Sequence, residues 1–138
     1  MTKQRFLYII IFLSCLAGYF ITHSVFSKHL VATEISYSSD SASEVFMVWG
    51  PMNTDLPPDS LWPVDSYRKD LLIYTRMLNR NGRFFTNIEL PSGTTIQYWM
   101  VQRKDKAGNP TDIWDSGGPD KDSFKLTFNY ESVINPGY

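Results

Sequence analysis

Leu90-Pro91-Ser92-Gly93-Thr94-Thr95-Ile96-Gln97-Tyr98-Trp99-Met100-Val101 is the stretch that decides the fold. Pro91 to Thr94 reads as a tight turn, because proline presets one φ and glycine takes a positive φ two residues later. Thr95 to Val101 is dense in the β-branched and aromatic side chains that suit a pleated surface. Asp105 to Pro110 breaks that run with Gly108 and an Asn-Pro pair. A second short strand, Ile113-Trp114-Asp115, then leads into the acidic, glycine-rich loop Ser116-Gly117-Gly118-Pro119-Asp120.

The same signals extend outward. Leu30 to Tyr37 is strand-like, Ser36 to Ser43 reads as a serine-rich spacer, and Glu44 to Trp49 is a strand stopped by Gly50-Pro51. Pro51 to Tyr67 reads as a long loop, and long loops inside a compact β domain usually carry function or flexibility. Asp70 to Leu78 is expected to be one strand. Asn79-Arg80-Asn81-Gly82 is a hairpin turn, since Asn-Gly supplies the positive φ angles such a turn needs. Phe84, Ile88 and Leu90 alternate with Phe85, Asn87 and Glu89, which predicts one buried and one wet face. Phe124, Leu126, Phe128 and Tyr130 alternate in the same way, and Ser132 to Tyr138 reads as a tail. Six to eight strands at spacings of about ten residues predict an all-β fold, an immunoglobulin-like antiparallel β-sandwich. The expected organisation is an N-terminal segment 1–28, a linker and first strand 29–42, a sandwich domain 43–131 and a tail 132–138.

Phe6 to Phe26 is apolar apart from Ser14, Thr22, His23 and Ser24, and Lys3 and Arg5 precede it. About twenty such residues span a bilayer as a helix. Basic residues ahead of the run place the N-terminus inside and the rest of the chain outside the cytoplasm. The expectation is one transmembrane helix at residues 6–26 holding a single-pass protein in the membrane; secretion after cleavage of a signal peptide is the alternative.

Composition narrows the chemistry. Beyond residue 28 the chain carries ten basic and fourteen acidic residues, a net charge of −4. That balance argues against nucleic acid as a partner. The one cysteine, Cys15, lies in the apolar segment, and both histidines, His23 and His29, lie in or beside it. The domain therefore offers no Ser-His-Asp or Cys-His catalysis, no zinc site of imidazole or thiolate, and no haem ligand. Paired carboxylates are the remaining enzymatic option, but they need a pocket that raises one pKa. The expectation is no catalytic residue, no metal and no cofactor. Aromatic residues are the positive signal: four tryptophans, six tyrosines and five phenylalanines lie beyond residue 28.

Leu90-Pro91-x-Gly93-Thr94-x-Ile96-x-Tyr98, a glycine-bearing turn, and then Trp114-Asp115-x-Gly117-Gly118-x-Asp120 resemble the back half of the starch-binding-type carbohydrate-binding modules. The resemblance covers roughly residues 43 to 130. It implies a sandwich that binds sugar, with Trp114 in the place of a ring that stacks on sugar. Trp62 is a loose substitute for the tryptophan that follows an early turn in those modules.

A sugar ring presents C–H groups to an indole face and hydroxyls to amides and carboxylates around it. On that chemistry the candidate ligand-binding residues are Trp114, Asp115, Asp120, Trp62, Trp99 and Gln97. Each tryptophan also has a packing reading. Trp49 ends an apolar strand and reads as core; Trp99 or its neighbour Tyr98 must face inward. Trp114 could plug the end of the sandwich while Asp115 closes an Asx turn. Trp62 could pin the long loop, and the aspartates could form a solvated loop or hold Ca²⁺. The expected function is a membrane-anchored extracytoplasmic module that binds a polysaccharide or oligosaccharide without catalysis. The alternative is a protein–protein module of an envelope complex, using a sandwich edge or the 51–66 loop.

Overall fold

The computed structural model describes residues 29–129 and the backbone of residues 132–134. These residues form an all-β structure of two packed sheets, with ten strands where six to eight were expected. The predicted membrane segment at 6–26 lies outside the described residues; among the described residues no helix is long and apolar enough to cross a membrane.

Strands β1 (Leu30–Ser38), β5 (Leu78–Arg80), β6 (Arg83–Pro91) and β10 (Ser132–Ile134) make a four-stranded sheet in the order β10-β1-β6-β5. Strands β3 (Ser66–Lys69), β4 (Leu72–Arg76), β2 (Ala42–Pro51), β7 (Thr95–Asp105) and β8 (Pro110–Asp115) follow one another across the second sheet. Its sixth strand, β9 (Phe124–Thr127), also pairs with β7. All ladders are antiparallel except β1 with β10, which is parallel.

Three expectations are corrected. The serine-rich stretch 36–43 is no spacer: it is the end of β1, a tight connection and the start of β2, and Ser39 Oγ accepts the backbone N–H of Ser41 and Ala42. The stretch 70–78 is not one strand, because β4 ends at Arg76 and β5 begins at Leu78 in the other sheet. Buried Met77, whose N–H donates to the Val45 carbonyl at 3.0 Å, marks the crossing. The segment 132–138 is no mere tail, since Ser132–Ile134 forms β10 beside β1. The hairpin at Asn81-Gly82 is as expected, with φ of 55° and 84° joining β5 to β6.

The core lies between the sheets. Ile35, Phe84, Ile88 and Leu90 from one sheet meet Val45, Met47, Trp49, Ile73, Ile96, Tyr98 and Met100 from the other. Trp49 is fully buried, and its indole N–H donates to Thr75 Oγ1 at 3.0 Å, so the one polar atom of the ring is satisfied. Tyr98 stacks on Phe124 at 5.0 Å and 16°. Truncating Trp49 to alanine leaves a large cavity, and we expect Trp49→Ala to cost about 3–5 kcal/mol in chemical denaturation.

Burial pushes the Tyr98 phenol up to about 12 from its ordinary value of 10.0. The core holds the neutral phenol, so the folded chain keeps a proton that the unfolded chain gives up near pH 10. Stability is therefore whole below pH 10 and falls as pH rises through about 12, by up to ~3 kcal/mol. Tyr98→Phe removes that part of the alkaline loss in denaturation midpoints measured from pH 8 to 12. A residual loss remains, because burial raises Tyr37 as well.

Candidate functional site

Strand β7 alternates by parity. Ile96, Tyr98 and Met100 point into the core, so Gln97, Trp99 and Val101 point to the outer face of the six-stranded sheet. Residues paired across antiparallel strands share a face, and the register therefore lays out that outer surface. One row across the strands is Tyr67–Tyr74–Val48–Trp99. The next is Arg76–Phe46–Val101–Trp114. Beyond Trp99, Gly50 pairs with Gln97 and Gln97 with Lys125.

This outer face is a second apolar layer. Val48, Tyr74 and Val101 are buried there, with Phe46, Leu72 and Trp99 packed against them. Tyr67 stacks on Tyr74 at 5.2 Å and meets Phe46 edge-on at 6.2 Å. Among the described residues no third layer covers them, and Trp114 remains 46% and Tyr67 48% exposed. Polar groups border the patch: Glu44 pairs with Arg76 at 3.2 Å and Lys104 at 3.6 Å, and Arg103 pairs with Asp112 at 3.2 Å. The outer face of the four-stranded sheet is different, carrying Glu34, Ser36, Arg83, Asn87 and Glu89.

Trp114 and Trp99 are held by separate partners. The Trp114 indole N–H donates to Asp112 Oδ1 at 3.0 Å, the same oxygen that receives Arg103. Trp99 sits where the edge of the sheet is interrupted. Met100 pairs with Asp115 and Tyr98 with Phe124, so β8 and β9 are two halves of one edge strand and residues 116–123 buckle out between them. The Trp99 N–H donates to the Asp122 carbonyl at 2.7 Å, which ties the loop to the platform.

Asp115 faces the other way. It pairs with Met100 and lies on the core-side parity, where its carboxylate accepts the Tyr37 hydroxyl at 3.0 Å and the Gly117 N–H at 2.9 Å. The second of these bonds is an Asx turn, the packing alternative to a ligand-binding Asp115. Burial, and then the Asp115 charge, raise the Tyr37 pKa, while a hydrogen bond from Gln102 lowers it. Asp115 thus ties β8 to β1 in the opposite sheet. Asp120 is exposed on the loop, beside Lys121, Ser123 and Lys125 around an open cavity of about 400 Å³.

Trp62 is remote from this face. It packs with Leu56 against the core at the 51–65 loop, and its N–H donates to the Pro57 carbonyl at 2.9 Å. The Asn53 side chain donates to the Gly93 carbonyl and accepts the Thr95 N–H, both at 3.0 Å, so the loop is fastened to the β6–β7 turn. Among the six candidate residues the structure brings Trp99, Trp114 and Gln97 to one face, sets Asp120 at its edge, and places Asp115 and Trp62 elsewhere. Sequence reading passed over Phe46, Tyr67 and Tyr74 as parts of one surface. The available signal was Val45-Phe46-Met47-Val48-Trp49, which is apolar at both parities rather than alternating.

No protein-family model matches this chain, and no curated protein matches it either. Among the described residues no group of acidic, histidine or cysteine side chains could hold a metal ion.

Gly117 has a φ of 97°, and a Cβ there would stand 2.8 Å from Phe124 Cε1. We expect Gly117→Ala to destabilise the domain by about 1–3 kcal/mol. It also displaces the loop that Trp99 bonds, which changes indole emission before global unfolding.

Proposed function

We propose that the chain is a carbohydrate-binding accessory module without catalysis, and that the outer face of its six-stranded sheet is the sugar platform. One observation carries this reading. Trp99, Trp114 and Tyr67 lie on the same sheet face, which no other layer of the described residues covers, bordered by Gln97, Lys125, Asp112 and Arg103. Apolar ring surface beside amide, carboxylate and guanidinium groups matches the two chemistries of a sugar ring, its C–H face and its hydroxyl rim. Aromatic patches of this kind on a soluble surface mark interaction sites.

The sandwich itself reads as immunoglobulin-like. A fully buried tryptophan, Trp49, stands on β2 at the centre of one sheet and pairs in register with Tyr98 on β7. The likeness to starch-binding-type modules rests on short motifs alone, and the sugar reading stands on the surface instead. Residues 6–26 supply the membrane anchor in this proposal. The domain follows at once: the His29 carbonyl accepts the Ser92 N–H at 2.8 Å, beside the start of β1.

A second reading has its own observation. Val64 of the 51–65 loop is 88% exposed and Leu78 of edge strand β5 is 65% exposed, and both line one cavity of about 300 Å³. Two bare aliphatic side chains at a sheet edge suit a protein partner of the cell envelope.

Affinity electrophoresis in gels containing neutral polysaccharides, with the full chain in detergent, separates the two. On the sugar reading at least one α-glucan or bacterial exopolysaccharide retards the protein. Trp99→Ala and Trp114→Ala each weaken binding roughly tenfold or more, by analogy with aromatic anchors elsewhere, while Val64→Ser leaves it unchanged. No retardation by any glycan, together with a partner whose capture Val64→Ser abolishes, overturns the sugar reading in favour of the second.

A further inference from the structure

We infer that Arg80 and Arg83, on the outer face of the four-stranded sheet, form a binding site for an oxyanion, a phosphate or carboxylate group of a ligand. The site is independent of the aromatic face, which lies on the other sheet.

Arg80 and Arg83 are directly paired across the β5–β6 hairpin. Like charges in that position repel and destabilise a hairpin. Here the two side chains do not diverge into water. Each guanidinium carbon lies 5.3 Å from the centre of the Phe85 ring. Arg83 Nη2 also donates to Ser36 Oγ at 3.3 Å, which fixes one head on the neighbouring strand. The described ion pairs engage Arg76, Arg103 and Lys104, whereas among the described residues neither Arg80 nor Arg83 has a carboxylate within ion-pair distance.

Two guanidiniums thus share one ring and, among the described residues, lack a counter-charge. A planar guanidinium presents paired N–H donors that match the oxygens of phosphate and carboxylate, and stacking on a ring holds that fork in place beforehand. Arg80, Phe85 and Asn87 also line the adjacent cavity of about 300 Å³, so there is room beside Arg80 for the group that bears the anion. Glu34, Asp65 and Arg76 line the same cavity, and its two carboxylates disfavour a ligand with negative charge spread along its length. The ligand is therefore one that presents a single localised oxyanion at the hairpin.

The test is thermal unfolding of the full chain in detergent micelles, followed by tryptophan emission. Inorganic phosphate and glucuronate are titrated separately against sodium chloride of equal ionic strength. We expect one or both to raise the unfolding temperature in a concentration-dependent way beyond chloride. Arg80→Gln and Arg83→Gln should each reduce the derived affinity roughly tenfold or more. In low-salt buffer without either anion, Arg80→Gln should unfold at a higher temperature than the parent, because the repulsion is gone. A response to phosphate alone assigns a phosphorylated ligand; an equal response to glucuronate assigns a carboxylate. No shift beyond chloride overturns the proposal. So does an equal loss in Arg68→Gln, which reports general charge only. An Arg80→Gln chain less stable than the parent without anion also overturns it, because the pair is then a structural clamp on Phe85.

Discussion

Strands β2 and β7 are apolar on both faces, and a sandwich of two layers buries only one of them. That constraint organises the molecule. Met47, Trp49, Tyr98 and Met100 fill the space between the sheets, while Phe46, Val48, Trp99 and Val101 are left on the outside of the same two strands. Neighbouring side chains partly close the outer layer, enough to bury Val48 and Val101 completely. Among the described residues nothing covers the remaining ring surface. Leaving it uncovered forgoes roughly 25 cal/mol for each Å² that a covering layer would bury, so the face is poised to gain from any ligand that fits it.

The edge of the sheet divides labour between adjacent residues. Trp114 and Asp115 are neighbours in the chain and point to opposite faces, one to the platform and one to the seam between the sheets. Asp112, two residues before Trp114, shares its face and holds its indole N–H together with Arg103. The buckle at 116–123 removes the strand residue that would otherwise stand opposite Trp99 and puts the Asp122 carbonyl there instead. The aspartates grouped by sequence proximity therefore serve three different purposes.

Strand content was legible wherever alternation was clean. In Arg83–Pro91 the buried residues Phe84, Thr86, Ile88 and Leu90 follow period two without a break, and the turn at Asn81-Gly82 announces itself by residue type. Reading failed where length and sheet membership mattered. Ser66–Lys69 has no apolar alternation of its own and becomes a strand by pairing with β4. Met77 looks like one more residue of a continuous strand, yet the chain changes sheet there. Ser132–Ile134 is strand because β1 offers a free edge to it.

The sequence by itself determined the all-β class, the positions of the main turns, and the absence of histidine and thiol chemistry beyond residue 29. These follow from local φ preferences and from residue inventory, which need no partner. Only the tertiary structure decided which tryptophans share a surface. Trp62 folds inward over its own loop, and Trp99 and Trp114 meet on one face although fifteen positions separate them. That outcome depends on the register between β2, β7 and β8. Register is a relation between strands, and a shift of one residue would turn every outward ring into the core.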